Sequence, residues 1–249
     1  MSTILILGGT TDAYALAERL TPEPGRRVIT SLAGRTPNPR RPAGELRVGG
    51  FGGPQGLAAY LKAEQVDAVV DATHPFAATM GWNAAQACAT AAIPLVRLDR
   101  PAWMPQPGDL WHPVADWPQA VTTLHRLGSR RVLLAVGRQD LAPFANQPDI
   151  HFLIRAVSPP DPMPPFPKAH LILDRGPFSL EAEHTLLAEH QIEAIICKNS
   201  GGAASAPKLA AARERQLPVI IRNRPPRPPH TPTTPTPDTA TAWLVSRGL

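Results

Sequence analysis

The sequence predicts an α/β fold made of two Rossmann-like domains, each a parallel sheet flanked by helices. Three observations carry this. Short apolar runs alternate with stretches of helical spacing along nearly the whole chain. Glycines follow several of the apolar runs directly, as they do where a parallel strand turns into a helix. A segment from Arg100 to Pro118, with prolines at 101, 105, 107 and 113 and three tryptophans, interrupts the rhythm before it resumes. We read that segment as a linker, which gives domains over 1–100 and 101–249.

The elements follow in order. Ile4 to Leu7 is a buried strand, because it is apolar at every position rather than at alternate ones. Ala13, Leu16, Ala17 and Leu20 share one helix face. Arg27–Thr30 and Leu46–Val48 are strands, Leu57–Ala63 a helix and Ala68–Ala72 a fourth strand. Met80–Ala92 is an alanine-rich helix, and Pro94–Leu98 closes the first series. In the second domain the strands are Arg131–Val136, Phe152–Val157, Leu171–Asp174, Ala194–Cys197 and Val219–Arg222. Its helices are Pro118–Leu127, Leu180–Glu189 and Pro207–Arg215. Pro159–Pro167 is an extended excursion. Pro225–Pro237 resembles polyproline II and is read as a surface strap leading to a last helix, Asp238–Val245.

Composition narrows the function classes. The chain has 249 residues and 43% hydrophobic content, enough for packed cores. Its two cysteines, Cys88 and Cys197, cannot build a zinc site or a disulfide framework, so no metal is expected and a reducing cytoplasm is the default. The N-terminus lacks a basic region before its short apolar run, and no run reaches the length of a membrane span. The net charge of +5 raises nucleic acid as a partner. The distribution argues against it: residues 1–130 hold 12 basic and 10 acidic side chains, and residues 131–249 hold 13 and 10. With aromatics at 5%, a base-stacking platform is not expected either. The positive excess suits a polyanionic small molecule, or serves solubility alone.

The first strand ends in Gly8-Gly9-Thr10-Thr11-Asp12, followed at once by a helix. Amides at a helix N-terminus lack intrahelical partners and attract anions. Gly8 and Gly9 let a phosphate approach the backbone, and Thr10 and Thr11 add hydroxyl donors. Asp12 is expected to cap the helix or face a ribose, since turned inward it would repel phosphate. An ordinary tight turn would also use these glycines. Their place at the first strand of an alternating sheet favours a nucleotide. After the second strand, an NAD site wants a carboxylate for the ribose 2′-hydroxyl. Here the run is Ser31-Leu32-Ala33-Gly34-Arg35, with no acid between Val28 and Glu45. Hydroxyls and an arginine suit a 2′-phosphate, so NADP(H) is the expected cofactor.

Two more loops stand at strand carboxyl ends. Gly49-Gly50-Phe51-Gly52-Gly53 permits close backbone approach, with Gly50 a cofactor-binding candidate, or simply makes a tight turn. Asp71-Ala72-Thr73-His74-Pro75-Phe76-Ala77 offers Ala72, Thr73 and the imidazole of His74, either as an acid or donor or as a local backbone partner.

Taken together, the Gly8 loop, Ser31–Arg35, the Asp71–Ala77 loop and Lys198-Asn199-Ser200-Gly201-Gly202 come in the order found in the precorrin-6A reductase family of cobalamin biosynthesis, which this chain resembles over nearly its whole length. The Asp71 and Lys198 loops are the specific parts of the match. The resemblance implies hydride transfer from NADPH to one carbon–carbon double bond of a macrocyclic tetrapyrrole, giving precorrin-6B, with a proton added at the adjacent carbon. It implies a substrate cleft between two α/β domains. The cofactor would lie along Gly8, Gly9, Thr10, Thr11, Asp12, Ser31, Gly34 and Arg35, with Thr73 and His74 near its nicotinamide. Gly137, Arg138, Lys198, Asn199, Ser200, Gly201 and Gly202 would face the substrate, whose carboxylates suit a basic protein. His74 and Lys198 are the candidate proton donors, with solvent as the alternative. Transient contact with neighbouring pathway enzymes is the one protein partnership it suggests. The proline- and threonine-rich segment 225–237 departs from the family pattern.

Two other classes fit the sequence less well. A short-chain dehydrogenase needs Tyr-x-x-x-Lys, but Tyr14 and Tyr60 are each followed four residues later by glutamate. A non-catalytic NADP-binding redox sensor would not need the Lys198 loop.

Overall fold

Ser2–Leu7 forms β1, with every residue after Ser2 buried. In a computed structural model that describes residues 1–34 and 40–249, it is the centre of the first of two sheets. Helix α1, Thr11–Leu20, is capped by Thr10 and buries Ala13, Leu16, Ala17 and Leu20, the face its spacing predicts. Then come β2 (Arg26–Leu32), β3 (Glu45–Val48), α2 (Gly53–Ala63), β4 (Ala68–Asp71), α3 (Ala78–Ala91) and β5 (Leu95–Leu98). Helix α2 starts well before the predicted Leu57. Gly52 at φ 77° turns the chain there, and a proline in the first turn suits a helix start.

The second unit opens with β6, Leu110–Val114, inside the segment expected to be a linker. This corrects the sequence reading. Pro113 masks the strand, but β6 is an edge strand paired only with β11 (Pro218–Arg222), where a missing amide is tolerated. Between them lie α4 (Trp117–Leu127), β7 (Arg131–Ala135), β8 (His151–Ala156), β9 (Ala169–Leu173), α5 (Leu180–Glu189), β10 (Ala194–Lys198) and α6 (Pro207–Glu214). The order is β6-β11-β10-β7-β8-β9, and all pairs are parallel. One face carries Trp117, Phe144, Phe152 and Phe166 in successive edge-to-face contacts under α4. The other face packs Leu133, Ile195 and Ile221 against Leu187 and Leu209 of α5 and α6.

A second correction concerns the C-terminus. Residues 225–249 were assigned to the second domain, but they belong with 1–101, and the second unit is 102–224. The proline-rich strap carries a two-residue strand, β12 (Thr233–Thr234), which pairs with β5. It then enters α7, Pro237–Val245, which starts at a Thr236/Thr239 capping box and packs beside α1. The first sheet is therefore β12-β5-β4-β1-β2-β3, again all parallel. Ala240 and Leu244 join Ile4, Ile6 and Leu16 in one core, while α2 and α3 cover Leu5, Leu7 and Ile29 on the other face. Among the described residues no helix is long and apolar enough to cross a membrane.

Candidate active-site loops of the two units

In the first sheet the chain runs outward from β1 to β2 and β3, then returns to β4 on the other side. The strand order reverses between β1 and β4, and open α/β sheets bind ligands just beyond such a point. The loops there are Gly8–Thr10 and Ala72–His74, two of the groups singled out from sequence.

Gly8 and Gly9 are glycines for different reasons. A Cβ on Gly8 would lie 2.8 Å from Thr30 Cγ2 and 3.3 Å from Leu32 Cδ2, so the residue is needed for packing against β2. Gly9 has φ 107°, which L side chains avoid, and a Cβ there would meet nothing within 4 Å. Its backbone faces open space. The Thr10 hydroxyl accepts from the Ala13 amide (3.1 Å) and donates to the Ala72 carbonyl (2.8 Å). It is buried, so it caps the helix and ties the two loops together instead of offering a donor outward. Asp12 is not the cap: its carboxylate accepts from Arg100 at 2.8 Å, which neutralises the charge expected to repel an anion. Thr11 begins α1, where amides lack intrahelical acceptors.

After β4, Asp71 and Arg97 form an ion pair at 2.5 Å with both side chains 3% exposed. The other Asp71 oxygen accepts from the amide (3.1 Å) and hydroxyl (2.6 Å) of Thr73, so that hydroxyl is turned inward. Such a charge is tolerated only because its lone pairs are used. His74 accepts from the Phe76 amide at Nδ1, 3.2 Å away. The neutral ring therefore carries its proton on Nε2, a donor, and protonating Nδ1 would cost that bond. Arg227, on the strap, donates to the carbonyls of His74 (3.3 Å), Pro75 and Ala77 (3.4 Å) and pins this turn.

At the ends of β2 and β3, Ser31 is buried and its Oγ accepts from Arg47 at 3.2 Å. Gly34 has φ 73°, and a Cβ there would press on Val48 at 3.1 Å. The Gly49 and Gly50 carbonyls both accept from Arg47. Arg35 lies outside the described residues.

In the second sheet the order reverses between β7 and β10. The loops beyond it are Gly137–Asp140 and Asn199–Gly202, so the fold brings together residues 60 positions apart that were proposed separately. Gly137 has φ 84°, and a Cβ there would come 3.9 Å from Lys198 Nζ. Lys198 pairs with Asp140 at 2.5 Å; Asp140 also accepts from Trp117 Nε1 at 2.9 Å and lies 3.9 Å from Arg222. Arg222 stacks over Trp117 at 4.7 Å. Arg138 donates to the Pro159 carbonyl at 3.2 Å. The Asn199 carboxamide pairs with both backbone groups of Trp103, at 2.8 and 3.0 Å, as a strand partner would. Arg224 donates to the Asn199 and Ser200 carbonyls. Asn199 thus braces the loop with its side chain. Gly201 has φ 70°, and Gly202 precedes a short 3-10 turn.

Sequence reasoning passed over Arg47, Arg97, Asp140, Arg222 and Arg227. Asp140 could have been found, because it follows Gly137 within one turn. Nothing local marks Arg227, whose partners lie 150 or more residues away.

Comparison with known proteins gives a consistent result. A family model described as precorrin-6x reductase CbiJ/CobK matches residues 3–245. A precorrin-6A reductase of Rhodococcus erythropolis is 50% identical over 226 residues, covering 91% of this chain and 90% of that protein. A cobalt-precorrin-6A reductase of Salmonella typhimurium is 28% identical over 236 residues, covering 89% and 87%. A solved structure of a CobK precorrin-6A reductase superposes with a TM-score of 0.93 at 42% identity, covering 100% of this chain and 98% of that one.

Proposed function

We propose a reaction from one premise: the chain belongs to the precorrin-6x reductase CbiJ/CobK family. It is a reductase of cobalamin biosynthesis, and we infer that it reduces one carbon–carbon double bond of precorrin-6A with NADPH, giving precorrin-6B. The metal-free substrate is favoured over the cobalt form because identity is 44–50% with precorrin-6A reductases such as those of Rhodococcus erythropolis and Rhodobacter capsulatus, and 28% with cobalt-precorrin-6A reductases.

The observation that carries the cofactor assignment is the open backbone at Gly9 beside the α1 N-terminus, at the point where the strand order reverses. The residues fit a pyrophosphate. Glycine leaves the approach clear, and Arg100 cancels the one nearby carboxylate, Asp12. When bound, NADPH supplies the hydride. The protein's part is to bind, orient and protonate. Gly8, Gly9 and the Thr11 and Asp12 amides hold the pyrophosphate, with Thr10 fixing the turn. Ser31, Gly34, Arg35 and Gly50 border the adenosine ribose. Ala72, Thr73 and His74 border the nicotinamide. His74 presents an Nε2 proton, and Lys198 presents an ammonium held by Asp140. These two are the proposed sources of the proton that completes the reduction. The Gly137, Arg138 and Lys198–Gly202 loops offer cations and amides to the substrate carboxylates.

The test is reduced-nicotinamide oxidation with precorrin-6A as substrate. Turnover with NADPH, and far slower turnover with NADH, is expected. Tight NADP binding without any turnover would instead point to a non-catalytic sensor.

A further inference from the structure

Several arginines in the first unit sit on carboxylates. Arg27 is held by Glu45 and Glu64, Arg40 by Glu18, Arg97 by Asp71 and Asp99, and Arg100 by Asp12. Arg47 is different. Among the described residues no acidic side chain pairs with it. Its Nη1 donates to Ser31 Oγ (3.2 Å) and the Gly49 carbonyl (2.6 Å), and its Nη2 to the Gly50 carbonyl (2.8 Å). Its guanidinium lies 3.7 Å from the Phe51 ring centroid and 5.0 Å from that of Tyr60. Everything that holds it is neutral, so its charge is not cancelled locally.

A guanidinium has five N–H donors. The three bonds use both donors of Nη1 and one of Nη2, which leaves Nε–H and one Nη2–H for a ligand. The group is also rigid, since ring stacking and two carbonyls fix its plane before anything binds. Less side-chain freedom is then lost on binding. Its place is set by the sheet register, in which Arg47 stands directly beside Ser31. Ser31 is the last residue but one of β2, close to where dinucleotide folds read the ribose 2′ position.

We propose that Arg47 is the specificity-determining residue for the cofactor's 2′-phosphate, with Ser31 beside it. The inference rests on the NADPH reading above. It adds that the discriminating charge comes from the end of β3, and not solely from Arg35 after β2. A phosphate monoester dianion is the chemistry that two donors of an uncancelled guanidinium suit.

The experiment measures affinity for 2′,5′-ADP and for 5′-ADP by calorimetry on the full chain. Wild type, Arg47→Ala, Arg47→Gln and Arg35→Ala are compared, with the melting temperature of each. Wild type should prefer 2′,5′-ADP. Arg47→Ala should cut that preference about ten- to hundredfold while 5′-ADP affinity changes about twofold or less. Arg47→Gln is shorter and neutral but keeps an unbranched polar side chain with an amide donor, so it removes the charge less disruptively than alanine if that variant folds poorly; its preference should also collapse. Equal loss for both nucleotides, with a lower melting temperature, would show that Arg47 merely braces the Gly49–Gly50 turn and would overturn the proposal. So would a preference abolished by Arg35→Ala but untouched by Arg47→Gln. A wild type without preference would instead remove the NADPH reading itself.

Discussion

Replacing Arg97 by methionine should cost the first unit about 3 kcal/mol of stability, and the structure explains why. Arg97 and Asp71 are both 3% exposed, and their ion pair is 2.5 Å long. Methionine fills similar volume but leaves the Asp71 carboxylate buried with only the Thr73 amide and hydroxyl as donors. Stripping one partner from a buried pair costs about 3–5 kcal/mol. Two features place the value at the low end. A cavity of about 110 Å³, lined by Asp71, Arg97, Asp99 and Arg227, adjoins the pair and has room for water. The Arg227 guanidinium also lies close, because a Cβ on Gly81 would touch both its Nη1 (2.9 Å) and Asp71 Oδ2 (3.5 Å). For a unit of this size the loss corresponds to a fall in melting temperature of roughly 10 °C. Urea unfolding followed by circular dichroism reads it without screening charges. Adding Asp71→Asn removes the stranded charge, so the double variant should recover more than half of the loss. The reasoning fails if Arg97→Met costs less than about 1 kcal/mol, or if the double variant is no more stable than the single.

Other consequences are smaller but equally direct. Arg227→Ala removes donors from three carbonyls of the His74 turn, so kcat should fall about tenfold with the NADPH Kd little changed, and Arg227→Lys should restore part of it. An unchanged kcat would show that the turn holds itself. Burial pushes the Cys88 thiol up to about 12 from its ordinary 9.0, and raises Cys197 as well. A raised thiol pKa favours folding below the unfolded value and loses that contribution as pH climbs from 9 towards 12. Urea stability should therefore drop between pH 8 and pH 10 (roughly), less so in Cys88→Ala, and neither thiol should react with Ellman's reagent before unfolding.

The parallel strands were legible because burial on both faces demands unbroken apolar runs, as in Ile4–Leu7 and Ala68–Asp71. Edge strands escape that demand. Strand β6 carries Pro113 and is half solvent-facing, and β12 is two residues long, so neither reads as a strand. The assignment of 225–249 to the wrong domain has the same root: pairing of Thr233 with Arg97 depends on tertiary return, which no local pattern encodes. At the candidate site, Gly9, Gly137 and Gly201 could be found because a positive φ requires glycine locally. Arg47 and Arg227 could not, because an arginine's role depends on which carbonyls and carboxylates lie within reach after folding.

A common construction links the two reversal points. In each unit, side chains of the paired loops bond to one another or to nearby backbone. Thr10 joins its loop to Ala72, Thr73 turns back to Asp71, Lys198 pairs with Asp140 and Asn199 pairs with Trp103. The residue types that look most like ligand-binding groups in sequence are thus largely the scaffold. What they hold in place is loop backbone, including Gly9, whose Cβ position meets nothing within 4 Å, and Gly201 at φ 70°. A site made this way loses function mainly through loop geometry. Substitutions at Thr10, Asp71 or Asn199 are then expected to act on ligand affinity through loop geometry, whereas at Arg47 the charge itself is proposed to matter.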